Sequence, residues 1–176
     1  MTRRRLTLVR HAMPHVDLTA PPHTWQLSDD GARAARALVL PSPHHLVASD
    51  EPKAIQTIAW AGDVATDVRF SEIARRTDER SAGWRELRRR YVSGEDIHGW
   101  KLQADVATRF NSAMIFHLRV AAASHCHLVV ATHGMALTAW LGSLSLVADR
   151  VSFWDELRLP DVLAVDLDDK SVRRVP

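Results

Sequence analysis

The chain has 176 residues, 46% of them hydrophobic and 25% charged, which suits one globular domain with a sizeable core. Its formal net charge of +2 gives no strong field for nucleic acid, and no apolar run reaches the length of a membrane span. The single cysteine, Cys126, excludes an internal disulfide and fits a reducing, cytoplasmic setting.

The N-terminal stretch MTRRRLTLVRHA is basic like a signal-peptide n-region, but its apolar run ends at Val9, too soon for an h-region. Arg5 to Val9 reads as a strand that delivers Arg10 and His11 at its carboxyl end. Pro14 to Pro22 reads as loop. Ser28 is a predicted N-cap, with Asp29 and Asp30 in the first turn of a helix over GARAARALVL, stopped by Pro41 and Pro43. His45 to Ala48 is a short strand and Pro52 to Ala61 a helix. Ala65 to Val68 is a weak strand. Residues 75 to 99 read as polar and irregular. A long helix is predicted over Lys101 to Ala123, the most apolar strand over Leu128 to Ala131, and a helix over Gly134 to Leu146. Leu163 to Leu167 and Ser171 to Val175 flank the turn DDKS as a hairpin. Strands alternating with helices predict an α/β fold of three layers: a mostly parallel sheet, helices on both faces and an antiparallel edge.

In open α/β sheets ligands sit outside the carboxyl ends of the strands. The first strand brings Arg10 and His11 there. The second brings Ser49, Asp50, Glu51 and, at the next helix, Lys53. The central one brings Thr132, His133 and Gly134. Two helix N-termini open at the same edge, and their N–H groups favour an anion. Two imidazoles, cations and helix ends describe a phosphate site better than a metal site. The HCH run, His125 to His127, is a poor metal cluster because neighbours on a strand face opposite ways.

These segments resemble the histidine phosphatase superfamily, the phosphoglycerate mutase-like group. LVRHA resembles its arginine–histidine–glycine signature, with Ala12 in place of glycine. ASDEPKAIQTIA is similar to its second segment, of the form SSPLxRAxQTA, and VVATHGMALTAWLG to its third. LSDDGARAARAL resembles its leucine–polar–glycine helix start. The matched segments run from Leu6 to Gly142 in the family's order.

The resemblance implies a single domain over residues 1–176 with a lid or cap around 72–100. It implies a phosphomonoester hydrolase that works through phosphohistidine, with no cofactor and no metal. His11 would be the nucleophile, and Arg10, Lys53, His133 and Gly134 would hold the phosphoryl group. Glu72 would be the general acid, with Glu79 the other candidate. The substrate would be a small phosphorylated metabolite or a phosphohistidine protein, with no nucleic acid or membrane as partner; oligomeric state is left open. The alternative is a non-catalytic or weakly active phospho-ligand binding protein of the same fold. Two positions depart from the pattern. Lys53 stands where the family has an arginine, in a chain with three lysines among 23 basic residues (Lys53, Lys101, Lys170). Asp17 stands where some members carry asparagine, and its charge predicts that it points away from a phosphate. The arginine-rich stretch RELRRRY (85–91) reads as a solvated helix face or as a lid receiving a second anionic group. Trp84 and Trp100 beside it are each read as pocket mouth or core anchor.

Overall fold

A computed structural model describes residues 4–75 and 83–175. Six strands form one sheet: β1 (Arg5–Arg10), β2 (His44–Ala48), β3 (Val64–Thr66), β4 (His127–Thr132), β5 (Asp161–Asp166) and β6 (Ser171–Arg174), in the order β3-β2-β4-β1-β5-β6. Pairs β2–β3, β2–β4 and β1–β4 are parallel, whereas β5 runs antiparallel to β1 and to β6. This is the expected three-layer architecture with an antiparallel edge. Leu6, Leu8, Val9 and Val129 to Ala131 are fully buried, as in strands covered on both faces.

The helices are α1 (Asp29–Arg36), α2 (Pro52–Ile58), α3 (Trp84–Ser93), α4 (Gln103–Ala123), α5 (Gly134–Ser143) and α6 (Arg150–Glu156). One face of the sheet packs on the larger core, where Phe110 of α4 stacks on Trp140 of α5 with ring centroids 5.1 Å apart. The other face packs on Ala54 and Ile58 of α2, with Leu38 and Leu40 against them.

Three local readings change. α1 stops at Arg36, because Leu38 and Leu40 leave the helix to cover the smaller core. The stretch read as irregular holds α3, bounded by Gly83 and Gly94, both with positive φ. Its helix buries few side chains, Tyr91 and Val92 among them, so the sequence carries little apolar periodicity. α6, where no element was expected, is capped by Asp149, whose side chain accepts from the Ser152 amide; its seven residues are too short to show a period.

Candidate active site

The parallel register sets Arg10 opposite Thr132 and Ala48 opposite Ala131, so β1, β2 and β4 end side by side. The His11 amide continues the ladder to the Thr132 carbonyl at 3.0 Å, and the Ser49 amide does the same to Ala131. The backbone leaving β1 is then clamped from two sides. Thr57 of α2 accepts from the Ala12 amide at 2.9 Å. Ser28, the α1 cap, gives its amide and hydroxyl to the Met13 carbonyl. A Cβ at Gly31 would lie 2.0 Å from that carbonyl oxygen, so only glycine lets α1 approach so closely. The leucine–polar–glycine segment and the glutamine–threonine pair thereby acquire their physical reason: Gln56 also holds the Leu27 amide.

Arg10, His11, Lys53, Glu72, His133 and Gly134 all line one cavity of about 1060 Å³. The His11 and His133 rings face each other at 5.1 Å, tilted by 56°. His11 Nδ1 donates to the Ala12 carbonyl at 2.8 Å, which leaves Nε2 of the neutral ring with its lone pair. Burial pushes the His11 pKa well below the ordinary 6.5, and His133, Lys53 and Arg10 add to the effect against the opposing Ala12 carbonyl.

His133 is fully buried. Its Nε2 lies 2.7 Å from Ser49 Oγ and 3.2 Å from Glu51 Oε1. A carboxylate only accepts, so the contact places the ring proton on Nε2. Burial, then Lys53 and three arginines, hold the His133 pKa well below 6.5. His133 Nδ1 and Arg10 Nε are buried with no hydrogen-bond partner. Arg10 is anchored elsewhere, by Nη1 to the Leu157 carbonyl at 2.7 Å. A Cβ at residue 134 would sit 3.2 Å from Arg10 Nε, so Gly134 keeps that guanidinium face open.

The other sequence-derived residues have partners of their own within the protein. Lys53 is 6% exposed and its Nζ bonds to Glu51 Oε2 and, at 2.8 Å, to the Pro22 carbonyl. Its charge is therefore matched inside the protein. The α5 N-terminus is not open to a ligand at its second and third residues. Glu72 Oε1 accepts from the Ala136 amide at 3.1 Å and Oε2 from Met135 at 3.4 Å, while the Ile73 amide also reaches Oε1 at 3.0 Å. Glu79 lies outside the described residues. Asp17 turns back on its own loop, accepting from the amide and hydroxyl of Thr19 at 2.8 and 2.6 Å. Of the arginine-rich stretch, Arg85 and Arg89 pair with Asp155 and Arg90 with Glu95. Arg88 lies 4.3 Å over the Trp84 ring, and both line the cavity. Trp100 is buried against Tyr91 as a core anchor.

Two residues take roles not expected from the sequence: Glu51, which the second strand delivers to this edge, and Arg109. Glu51 links His133, Lys53 and the Glu72 amide, which it accepts at 2.9 Å. Its signal was there: an acid replaces the family's leucine two residues before a lysine replaces its arginine. Arg109 of α4 donates to the carbonyls of Arg69 and Ser71 at 2.5 Å each, holding the segment that presents Glu72. One of two arginines on a long helix carries no such signal. Among the described residues no group of His, Cys, Asp and Glu is arranged to hold a metal ion, and no helix is long and apolar enough to cross a membrane.

No known family's sequence profile matches the chain, and no curated protein matches it by sequence. Solved structures do. Mycobacterial glucosyl-3-phosphoglycerate phosphatase in complex with inorganic phosphate superposes with a TM-score of 0.74 at 18% identity, over 99% of this chain and 96% of that one. The same enzyme complexed with VO3 gives 0.70 at 19% identity, over 99% and 98%. A mutant phosphoserine phosphatase from Entamoeba histolytica, in complex with phosphoserine, gives 0.65 at 15% identity, over 98% and 95%. Over 98–99% of its length, then, the chain has the same fold as these solved phosphatases.

Proposed function

We propose that the protein is a phosphomonoester hydrolase that works through a phosphohistidine on His11, without a metal, on a small phosphorylated metabolite. The observation that carries this reading is the pair of buried, unpartnered nitrogens, Arg10 Nε and His133 Nδ1, beside a histidine whose Nδ1 is fixed and whose Nε2 is left as a lone pair. Buried polar atoms are rarely left unpaired, and a phosphoryl oxygen satisfies Arg10 Nε directly and His133 Nδ1 once that nitrogen is protonated. The folds that match hold phosphate, vanadate or phosphoserine in their solved complexes.

The chemistry follows from the protonation states. His11 stays neutral at neutral pH and attacks phosphorus through Nε2. Arg10 donates from Nε to an equatorial oxygen. His133, kept neutral by burial and the neighbouring cations, gains its second proton when the phosphoryl charge offsets them. Nδ1–H then donates to the phosphoryl group while Glu51 and Ser49 hold Nε2. Glu72, lodged at the start of α5, hands a proton to the leaving alkoxide. Water then attacks the phosphorus as the Glu72 carboxylate takes its proton, the P–N bond to His11 breaks, and inorganic phosphate leaves.

A second reading, a binding protein with little turnover, is favoured by Lys53, whose ammonium is committed to Glu51 rather than left for the ligand. One experiment separates them. Incubation with a generic aryl phosphate, followed by denaturation, is expected to leave an acid-labile phosphoryl group on the wild-type protein and none on His11→Ala. Turnover in His11→Ala of more than about a thousandth of wild type removes the covalent mechanism. Phosphate binding without turnover or labelling establishes the second reading.

A further inference from the structure

The phosphoryl end fills little of the 1060 Å³ cavity, which is at the upper end of the range for sites that hold a whole small molecule, roughly 300–1,000 Å³. What lines the remainder is unusual for a surface. Half of the exposed large apolar side chains among the described residues gather here: Met13, Val16, Leu18, Val68 and Trp84. Scattered singly, such residues need no explanation; gathered round one concavity they mark a place that an apolar ligand covers. Besides Arg10, the arginines that line the cavity are Arg75 and Arg88, which lie over the rings of Trp100 and Trp84. The other arginines of α3 pair with acids: Arg85 and Arg89 hold Asp155, and Arg90 holds Glu95. The loop carrying Val16 and Leu18 is itself fixed, because Asp17 caps Thr19 and Trp25 Nε1 donates to the Asp17 carbonyl at 2.9 Å.

Resting on the phosphatase reading of the same cavity, we infer that the substrates are phosphomonoesters of alcohols with a bulky apolar group, aliphatic or aromatic, seated between the 13–25 loop and Trp84. A substrate carrying a second charged group on its alcohol would leave that apolar wall uncovered, and among the described residues the arginines beside the wall already have partners. Each methylene buried on this wall adds up to about fourfold in affinity. The gain is made equally in the ground and transition states, so it appears in KM and in kcat/KM rather than in kcat.

The test is a chain-length series in which the leaving-group basicity stays nearly constant: ethyl, butyl and hexyl phosphate, with glycerol phosphate as the polar control. A rise in kcat/KM of at least about tenfold from ethyl to hexyl is expected, with glycerol phosphate no better than ethyl. Leu18→Asp, an exposed position, is expected to flatten the series. Calorimetric binding of ethylphosphonate and hexylphosphonate, which are not hydrolysed, reads the same preference without turnover. A hexyl-to-ethyl ratio below about tenfold in both measurements overturns the inference, as does a wild-type slope in Leu18→Asp. Turnover without chain-length preference overturns it and leaves the phosphatase reading standing. Preferential binding of hexylphosphonate with no turnover of any ester upholds it and sinks the phosphatase reading alone.

Discussion

The molecule contains two close pairs of histidines, and they differ in what their nitrogens are left to do. His11 and His133 stand 5.1 Å apart, His45 and His117 5.3 Å apart. In the second pair the relay is closed: His45 Nε2 meets His117 Nδ1 at 3.1 Å, and His117 Nε2 donates to Asp67 at 3.0 Å. Burial works against the Asp67 charge, but Arg69 and His117 bring its pKa down to about 2. In the first pair one nitrogen of His133 has no partner and Nε2 of His11 keeps its lone pair. Proximity of imidazoles is thus no mark of a site; unspent hydrogen-bonding capacity at the edge of a cavity is. The closed pair lies between β2 and α4 and is a structural device.

The sharpest break of this comparison is to remove one ring nitrogen from each pair. His133→Gln keeps a polar atom near the Nε2 position, facing Ser49 and Glu51, but deletes Nδ1. Loss of a transition-state donor predicts a fall in kcat of about 10²–10³. The matching His117→Gln keeps the bond to Asp67 and deletes the partner of His45; it is expected to leave kcat unaltered and to lower stability by about 0.5–1.5 kcal/mol. Steady-state rates and denaturant titrations on the two variants decide the matter. Equal kinetic losses would erase the distinction.

A pH titration sharpens it further. The folded pKa values of His11, His133 and His45 lie below their ordinary 6.5, with burial as the leading cause each time. Such groups contribute stability above pH 6.5 that is lost as the pH falls towards their folded values, because the unfolded chain takes up protons first. Tm is therefore expected to decline on acidification below about 6.5. The proposed mechanism needs His11 neutral, so kcat/KM is expected to persist through pH 6 without a descending limb at 6.5. A limb at the ordinary histidine value would place the His11 ring in contact with water.

The smallest effect concerns Lys53. Against a simple phosphomonoester, an arginine there adds a fork suited to phosphoryl oxygens, yet the lysine is spoken for by Glu51 and the Pro22 carbonyl. Lys53→Arg is expected to fold normally and to change kcat/KM by less than about threefold. A gain of tenfold or more would show that residue 53 reaches the phosphoryl group after all.

The sheet was legible because its strands are short apolar runs between turn signals, and the position of Arg10, His11 and His133 followed from where those runs end. Long α4 was legible for its length alone. What escaped depended on contacts between distant segments. α3 shows little apolar stripe, since its arginines face solvent and Asp155. Glu51 looks like one more acid at a helix start until Lys53 and His133 close around it. The open N–H groups expected at α5 were claimed by Glu72 from 62 residues upstream in the chain, counting to Gly134. Pairing of that kind has no period and no local composition, so the chain order conceals it.

The close approach of Gly31 to Met13 carries a consequence for partly folded states. The backbone that presents His11 is held by Ser28 at one end of α1 and by Thr57 in α2, elements that lie far along the chain and are linked to β1 only through folding. α1 has eight residues, buries only Gly31 and Ala35, and sits at the periphery, where local opening costs less than global unfolding. Fraying of α1 would release the Met13 carbonyl and free the backbone that presents His11 while the sheet stays paired, and amide exchange at Ser28 and Gly31 faster than in the sheet is its expected signature.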